Sequence, residues 1–359
     1  METPYKFPFY AKTAFVFISF FALVAALYLA QDIVIPIVYA TMIAVVLNPL
    51  VNYLTRKKVN KIVAIAIAVA LAFIAFLITA YIISSQVSMF METYPQLKIK
   101  FSSSSERLVH WVAEKFNIKQ SKINLYITAT ENTALNDFAI GEKLSAVGRT
   151  AVMLMLLPVY LSMILYYKPL LLEFIRRLFN NKHHNTVADI LVSVKKIIQS
   201  YLTGLFFEML IIAVLNAAGL LLLGIDYAII LGITGAILNI IPYIGGIVAT
   251  ALPMIIAFVT KDSLTYAALV FAVYIVIQFI DNHFIIPKIV ASRVQINALI
   301  AVIVVLIGGA VWGIPGMFLS IPLTAILKVI FDHIEPLKPW GFLLGNIIPT
   351  NSKFSFRKK

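Results

Sequence analysis

The apolar residues of this chain fall in blocks of roughly 20, the length a helix needs to cross about 30 Å of hydrocarbon. The blocks are 13–30, 33–54 (with Pro36 and Pro49), 62–86, 150–167, 201–223, 227–260, 264–287 and 297–331. Two are interrupted: 227–260 at Pro242-Tyr-Ile-Gly-Gly246, and 297–331 at Gly308-Gly309 and Gly313-Ile-Pro-Gly316. Across 359 residues, 61% are hydrophobic and 13% charged. A soluble domain carries about 25% charged residues, and a disordered chain has low hydrophobicity, so both classes are excluded. The expectation is an all-α polytopic membrane protein.

Net charge is +13, from 29 Lys and Arg against 16 Asp and Glu. In such a chain the excess marks cytoplasmic loops facing anionic headgroups rather than a nucleic-acid surface. With no cysteine, disulfides, thiolate nucleophiles and Cys-based metal sites are excluded. The first block, 13–30, is longer than a signal-peptide core and has no clear small-residue cleavage site, so it reads as an uncleaved span.

Four positive residues in the 55–61 loop, six over 168–199 and the FSFRKK tail place these segments in the cytoplasm, with both termini inside. The polar stretch 87–149 then lies outside, as a small helical domain. Its eight Lys and Arg do not contradict this, since long translocated segments largely escape the rule. The organisation read from the chain is an N-terminal three-span segment (1–86), the extracytoplasmic domain (87–149), a fourth span with a cytoplasmic linker (150–199), a core with two broken helices (200–331) and a basic tail (332–359).

The two interrupted blocks admit two models. In one, each is a re-entrant hairpin, giving six full spans and two hairpins of opposite orientation. In the other, each is one long kinked span, giving eight. Lys288 and Arg293 fall inside in the first and outside in the second, so the charges favour hairpins. A broken helix exposes backbone polar groups that lipid cannot satisfy, so they face protein, water or a solute. Paired breaks point to a transport site. The residues at the breaks are Asn239, Pro242, Gly245 and Gly246, and Gly308, Gly309, Pro315 and Gly316.

Glu208 lies inside the fifth block, where a charge costs at least about 2.5–3.5 kcal/mol and so faces protein. Asn216, eight residues on, and Gly204, four back, share its helical face. The seventh block carries Gln278, Asp281 and Asn282 at i, i+3 and i+4, a polar stripe. Asn239 stands where it could cap a half-helix. The five histidines have no metal-ligand spacing, and no GxSxG, HExxH or Walker motif occurs. No metal, cofactor or enzymatic activity is expected, and active transport would have to draw on an ion gradient.

The segment LLLGIDYAIILGITGAILNIIPYIGGIVATALP (221–253) resembles the AI-2E family of bacterial membrane proteins. So do DNHFIIPKIVASRVQ (281–295), GGAVWGIPGMFLSIPLTAILKVI (308–330) and the Tyr201-Leu-Thr-Gly204 start of the fifth block. The resemblance covers almost the whole chain and is most specific over 201–330. One departure is Asn297-Ala298, where the family usually carries a His-Pro or similar pair; it bears on substrate or ion preference. The resemblance implies a secondary transporter of the bacterial cytoplasmic membrane, associated with export of autoinducer-2 and in some members with sodium/proton antiport. Homo-oligomers are implied too, with pentamers as one form.

The expected mechanism is alternating access. The two breaks offer backbone dipoles to a small polar solute, Gln278, Asp281 and Asn282 line its path with Asn216, and Glu208 and Asp281 couple transport to H+ or Na+. A membrane scaffold acting through 87–149 and a membrane hydrolase using Ser320 and His283 are the readings from other classes. The scaffold predicts that substituting Glu208 or Asp281 changes nothing.

Overall fold

The computed structural model describes residues 8–82, 140–242, 244–261, 263–291 and 296–347, together with 84, 85, 88 and 92. The domain expected over 87–149 lies outside the described residues, apart from those isolated positions and the start of one helix at 140. Every regular element described is helical, and the one β-bridge joins Ile296 and Gly345.

In chain order the helices are α1 (Phe9–Leu29), α2 (Gln31–Arg56), α3 (Lys61–Ile82), α4 (Ile140–Leu178) and α5 (His184–Leu222). They continue with α6 (Ala228–Asn239), α7 (Ile244–Lys261), α8 (Leu264–Ile280), α9 (Ala298–His333) and α10 (Lys338–Leu344). Among the described residues six helices are, by length and composition alone, long and apolar enough to cross a membrane, α8 being counted with the π-helical residues that extend it. Local chemistry sets the ends. Lys58 closes α2 in the left-handed conformation (φ 66°), and Asn60 opens α3 by accepting from the Ile62 N–H at 2.9 Å.

The basic stretch 168–199, expected as a linker, is helical almost throughout. Both α4 and α5 are 39 residues long. That is about 58 Å at 1.5 Å per residue, nearly twice the hydrocarbon thickness. Only residues 179–183, which include the 3-10 turn Asn181–His183, separate them. Exposed i, i+3 and i, i+4 pairs from Glu173 to Arg176 and Arg177 support the C-terminal end of α4.

The chain forms two compact units, one of residues 1–68, 159–206 and 286–359, the other of residues 69–158 and 207–285. In the first, the core gathers Met42, Ile198 and Leu319 with Tyr39, Val45, Trp312 and Phe318. Three long-range hydrogen bonds fix it. Trp312 Nε1 donates to the Leu27 carbonyl (3.1 Å), Gln199 Nε2 to that of Val45 (2.7 Å) and the Tyr39 hydroxyl to that of Pro315 (3.4 Å).

Within this unit α9 is folded back on itself. Gly313 takes φ 62°, ψ −144°, a conformation open essentially to glycine alone. A Cβ on Gly308 would overlap the Gly316 carbonyl and stand 3.0 Å from Ser320 Cβ. Residues 308 and 320 of a straight helix would be about 18 Å apart. The 297–331 block is therefore a hairpin of two half-helices, not one kinked span.

In the second unit the core comprises Leu220, Ile225, Ala228, Leu231, Ile256, Ala257, Val270 and Tyr274. Here too the interrupted block reverses. Pro242 has no N–H to continue α6, and a Cβ on Gly245 would overlap the Leu238 carbonyl. Gly235 and Ala249 then face each other across α6 and α7, which pack as an antiparallel pair. Helix α8 shows how membrane burial differs from the aqueous kind. Val270, Tyr274 and Ile277 are buried, while the equally apolar Phe271, Ile275, Val276 and Phe279 are exposed. Lipid accepts those side chains, so close packing rather than hydrophobicity decides the inward face.

Candidate functional site

The second unit holds an uncommon concentration of buried polar side chains. Along α5, Glu208, Ile212, Asn216 and Leu220 are buried at four-residue spacing, a single face of the helix. Glu208 is 6% exposed and Asn216 2%. From α6 come the buried Thr234 and the half-buried Asn239, and from α8 the buried Tyr274 and the half-buried Gln278. Asp281, the first residue past α8, is fully buried at 0%.

Asp281 organises its neighbours. Its Oδ2 accepts from Asn239 Nδ2 at 3.1 Å and from Gln278 Nε2 at 3.5 Å. Because each amide turns its NH2 group toward Asp281, each turns its carbonyl oxygen away. Those oxygens converge beside Gly246. Gln278 Oε1 and Asn239 Oδ1 lie 3.2 and 3.6 Å from the point a Cβ on Gly246 would occupy. A second opening lies at Gly235, where Asn216 Nδ2 and the Tyr274 hydroxyl stand 3.2 and 3.4 Å from the equivalent point. Asn216, Gly235, Asn239, Gly246, Tyr274 and Gln278 line one small cavity, with room for about one water molecule.

Among the described residues, five buried side-chain atoms here have no hydrogen-bond partner: Glu208 Oε2, Asn216 Oδ1, Thr234 Oγ1, Tyr274 OH and Asp281 Oδ1. Native proteins satisfy nearly all buried polar atoms, so such a group calls for a ligand, an ion or water. Glu208 lies two turns of α5 from the cavity-lining Asn216 and within electrostatic reach of Asp281. The cavity can thus present the side-chain amides of Asn216, Asn239 and Gln278 and the Tyr274 hydroxyl to one small polar or cationic guest, with the Asp281 carboxyl group bonded to two of those amides.

Of the residues singled out from sequence, Glu208, Asn216, Asn239, Gly246, Gln278 and Asp281 belong to this neighbourhood. Pro242 and Gly245 form the turn that positions Gly246. Asn282 is exposed. From Asp281 the backbone is π-helical, over Asp281–Ile285 and Pro287–Ala291, and the wider turn carries residue 282 off the α-helical stripe. Gly308, Gly309, Pro315 and Gly316 build the reversal of α9 in the other unit. Thr234 and Tyr274 were not singled out. Tyr274 had a signal available, since it precedes Gln278 by four residues and Asp281 by seven.

Asn297, at the departure from the family pattern, is a clasp. It caps α9 by accepting from the Ile300 N–H (2.9 Å) and donates to the carbonyls of Leu343 (2.7 Å) and Gly345 (3.0 Å).

Residues 17–335 match the model of the AI-2E family transporters. The chain belongs to the AI-2E family. It is 26% identical over 341 residues to YueF of Bacillus subtilis (strain 168), a provisionally named transport protein, covering 91% of this chain and 89% of that one. YhhT of Escherichia coli (strain K12), named in the same provisional way, is 24% identical over 335 residues, covering 91% and 92%. The AI-2 transport protein TqsA of Escherichia coli (strain K12) is 24% identical over 332 residues, covering 89% and 91%. This AI-2E chain is thus a multi-pass membrane transporter with bacterial relatives, and the family's members are named for transport, not for catalysis.

Proposed function

We propose that this AI-2E protein is a secondary transporter that exports a small polar solute, such as autoinducer-2, by alternating access driven by an ion gradient. One observation carries the reading: among the described residues, five buried polar atoms of the second unit have no hydrogen-bond partner, those of Asn216 and Tyr274 on residues that line a small cavity and two others on the carboxyl groups of Glu208 and Asp281. Two buried carboxyl groups within electrostatic reach of each other resist carrying two negative charges at once. A proton or cation relieves that repulsion, which makes Glu208 and Asp281 the coupling groups. The name of TqsA supports autoinducer-2 as the first solute to try. On this reading the protein works in the bacterial cytoplasmic membrane, as a homo-oligomer with both termini in the cytoplasm.

A second reading is sodium/proton exchange. It is favoured by the size of the cavity, which holds about one water and no organic solute. Under the first reading the cavity is the closed form of a larger site; under the second it is the ion site itself.

Purified protein in liposomes with an imposed pH gradient, with sodium in half the samples, separates them. Gradient-dependent movement of autoinducer-2 above that of empty liposomes is the expected result. Intact protein that moves sodium and protons but no autoinducer-2 replaces the first reading with the second.

A further inference from the structure

In the first unit three helix segments each bring one lysine to a common place. Lys61 opens α3, Lys168 lies on α4 and Lys195 on α5, and both Lys61 and Lys195 are close enough to Lys168 to act on its charge. Each is held by neutral groups or by none. Lys168 Nζ donates to Oδ1 of the buried Asn48 at 2.9 Å. Lys61 Nζ donates to the Tyr166 carbonyl at 3.0 Å and sits 5.1 Å above the centre of the Tyr166 ring. Among the described residues no carboxylate pairs with any of the three. Glu173, the nearest acid in sequence to Lys168, is taken by Arg176 and Arg177.

Beside Lys61 opens a groove of about 440 Å³, lined by Asn60, Ile62, Tyr166, Tyr167 and Leu170. Its rim is unlike an aqueous binding site. Ile62 and Leu170 are each 63% exposed, and two tyrosines border them, the composition found where headgroups meet acyl chains.

We infer that this lysine cluster and its groove bind the headgroup of one anionic phospholipid. The phosphate sits among Lys61, Lys168 and Lys195, and an acyl chain runs along Ile62 and Leu170. Charge complementarity supplies the headgroup end: three unneutralised cations at the basic 55–61 loop, on the side the positive-inside rule assigns to the cytoplasm. The exposed apolar rim selects a lipid over a soluble anion. The inference is independent of what the transporter carries.

The test is thermal melting of the full-length protein in detergent, titrated with dioctanoyl phosphatidylglycerol, dioctanoyl phosphatidylcholine or inorganic phosphate. Phosphatidylglycerol is expected to raise the melting temperature where the other two do not. Lys61→Gln is expected to weaken that response about fivefold, and Lys61→Gln with Lys195→Gln about twenty-five-fold, since each surface lysine contributes about 1 kcal/mol. Lys182→Gln, outside the cluster, is the control. Because Lys168 supports the buried Asn48, the exposed Lys61 is the primary variant. Equal responses to the two lipids, or equal effects of Lys61→Gln and Lys182→Gln, would overturn the inference. A full response to phosphate alone would overturn it in favour of a soluble-anion site.

Discussion

The side-chain amide of Asn239 donates to Asp281 Oδ2 over 3.1 Å, linking the end of α6 to the end of α8 across 42 residues of sequence. This bond does two things. It supplies a donor to a fully buried carboxyl group, and it turns the Asn239 carbonyl oxygen toward the gap at Gly246.

Replacing Asn239 by alanine removes both effects. Leaving a buried acceptor short of a donor costs about 1–3 kcal/mol. Asn239→Ala is therefore expected to lower the melting temperature in detergent and to reduce solute flux in liposomes. Asn239→Gln, which keeps the amide, should lose less of each.

The two glycines of the first reversal should respond differently. A methyl group at Gly245 overlaps the Leu238 carbonyl, so Gly245→Ala should not yield folded protein. A methyl group at Gly246 meets first the side-chain ends of Gln278 and Asn239, at 3.2 and 3.6 Å. Gly246→Ala should fold, and its transport should drop about tenfold, the equivalent of roughly 1.4 kcal/mol of solute binding. Size-exclusion profiles and flux measured on the same preparations distinguish the two outcomes.

The Asn297 side chain caps α9 with one hydrogen bond and, with two more, holds the residues at the end of α10 against the start of α9. Losing an N-cap alone costs about 0.5–2 kcal/mol. Asn297→Ala should speed hydrogen exchange in α10 and leave exchange in α7 unchanged. Identical exchange in α10 of variant and parent would remove the clasp from the account.

The reversals at residues 242–246 and 313 can be checked in the membrane itself. The chain has no cysteine, so single cysteines at Lys261 and Arg293 report their side without background. If both blocks re-enter, an impermeant thiol reagent on whole cells labels Lys261→Cys and spares Arg293→Cys. The opposite pattern fits two long kinked spans.

Much of this was legible in the sequence, because a bilayer imposes lengths. Blocks of roughly 20 apolar residues announced the spans. Pro242, Gly245 and Gly313 marked breaks in the helices, but a break allows a kink as well as a reversal, and only the charges at Lys288 and Arg293 favoured hairpins. Glu208 and Asn216 fell on one face because the helix between them is regular. Other features were hidden. Asn282 left the polar stripe because the backbone turns π-helical at Asp281, which spacing alone does not reveal. The helical course of 168–199 was masked by its charge, which marks a side of the membrane and not a loop. Thr234 became part of the site only when the hairpin brought α6 against its neighbours. Asn297 read as a change in specificity, but its three bonds are to backbone.

The central claim is that Glu208 couples transport to an ion gradient. Its most direct test compares wild type with Glu208→Gln in liposomes, measuring uphill accumulation under a pH gradient and solute exchange without one. The account predicts that the variant loses accumulation and keeps exchange, because an amide preserves the shape of the site but cannot release a proton. Accumulation by Glu208→Gln equal to wild type would contradict it.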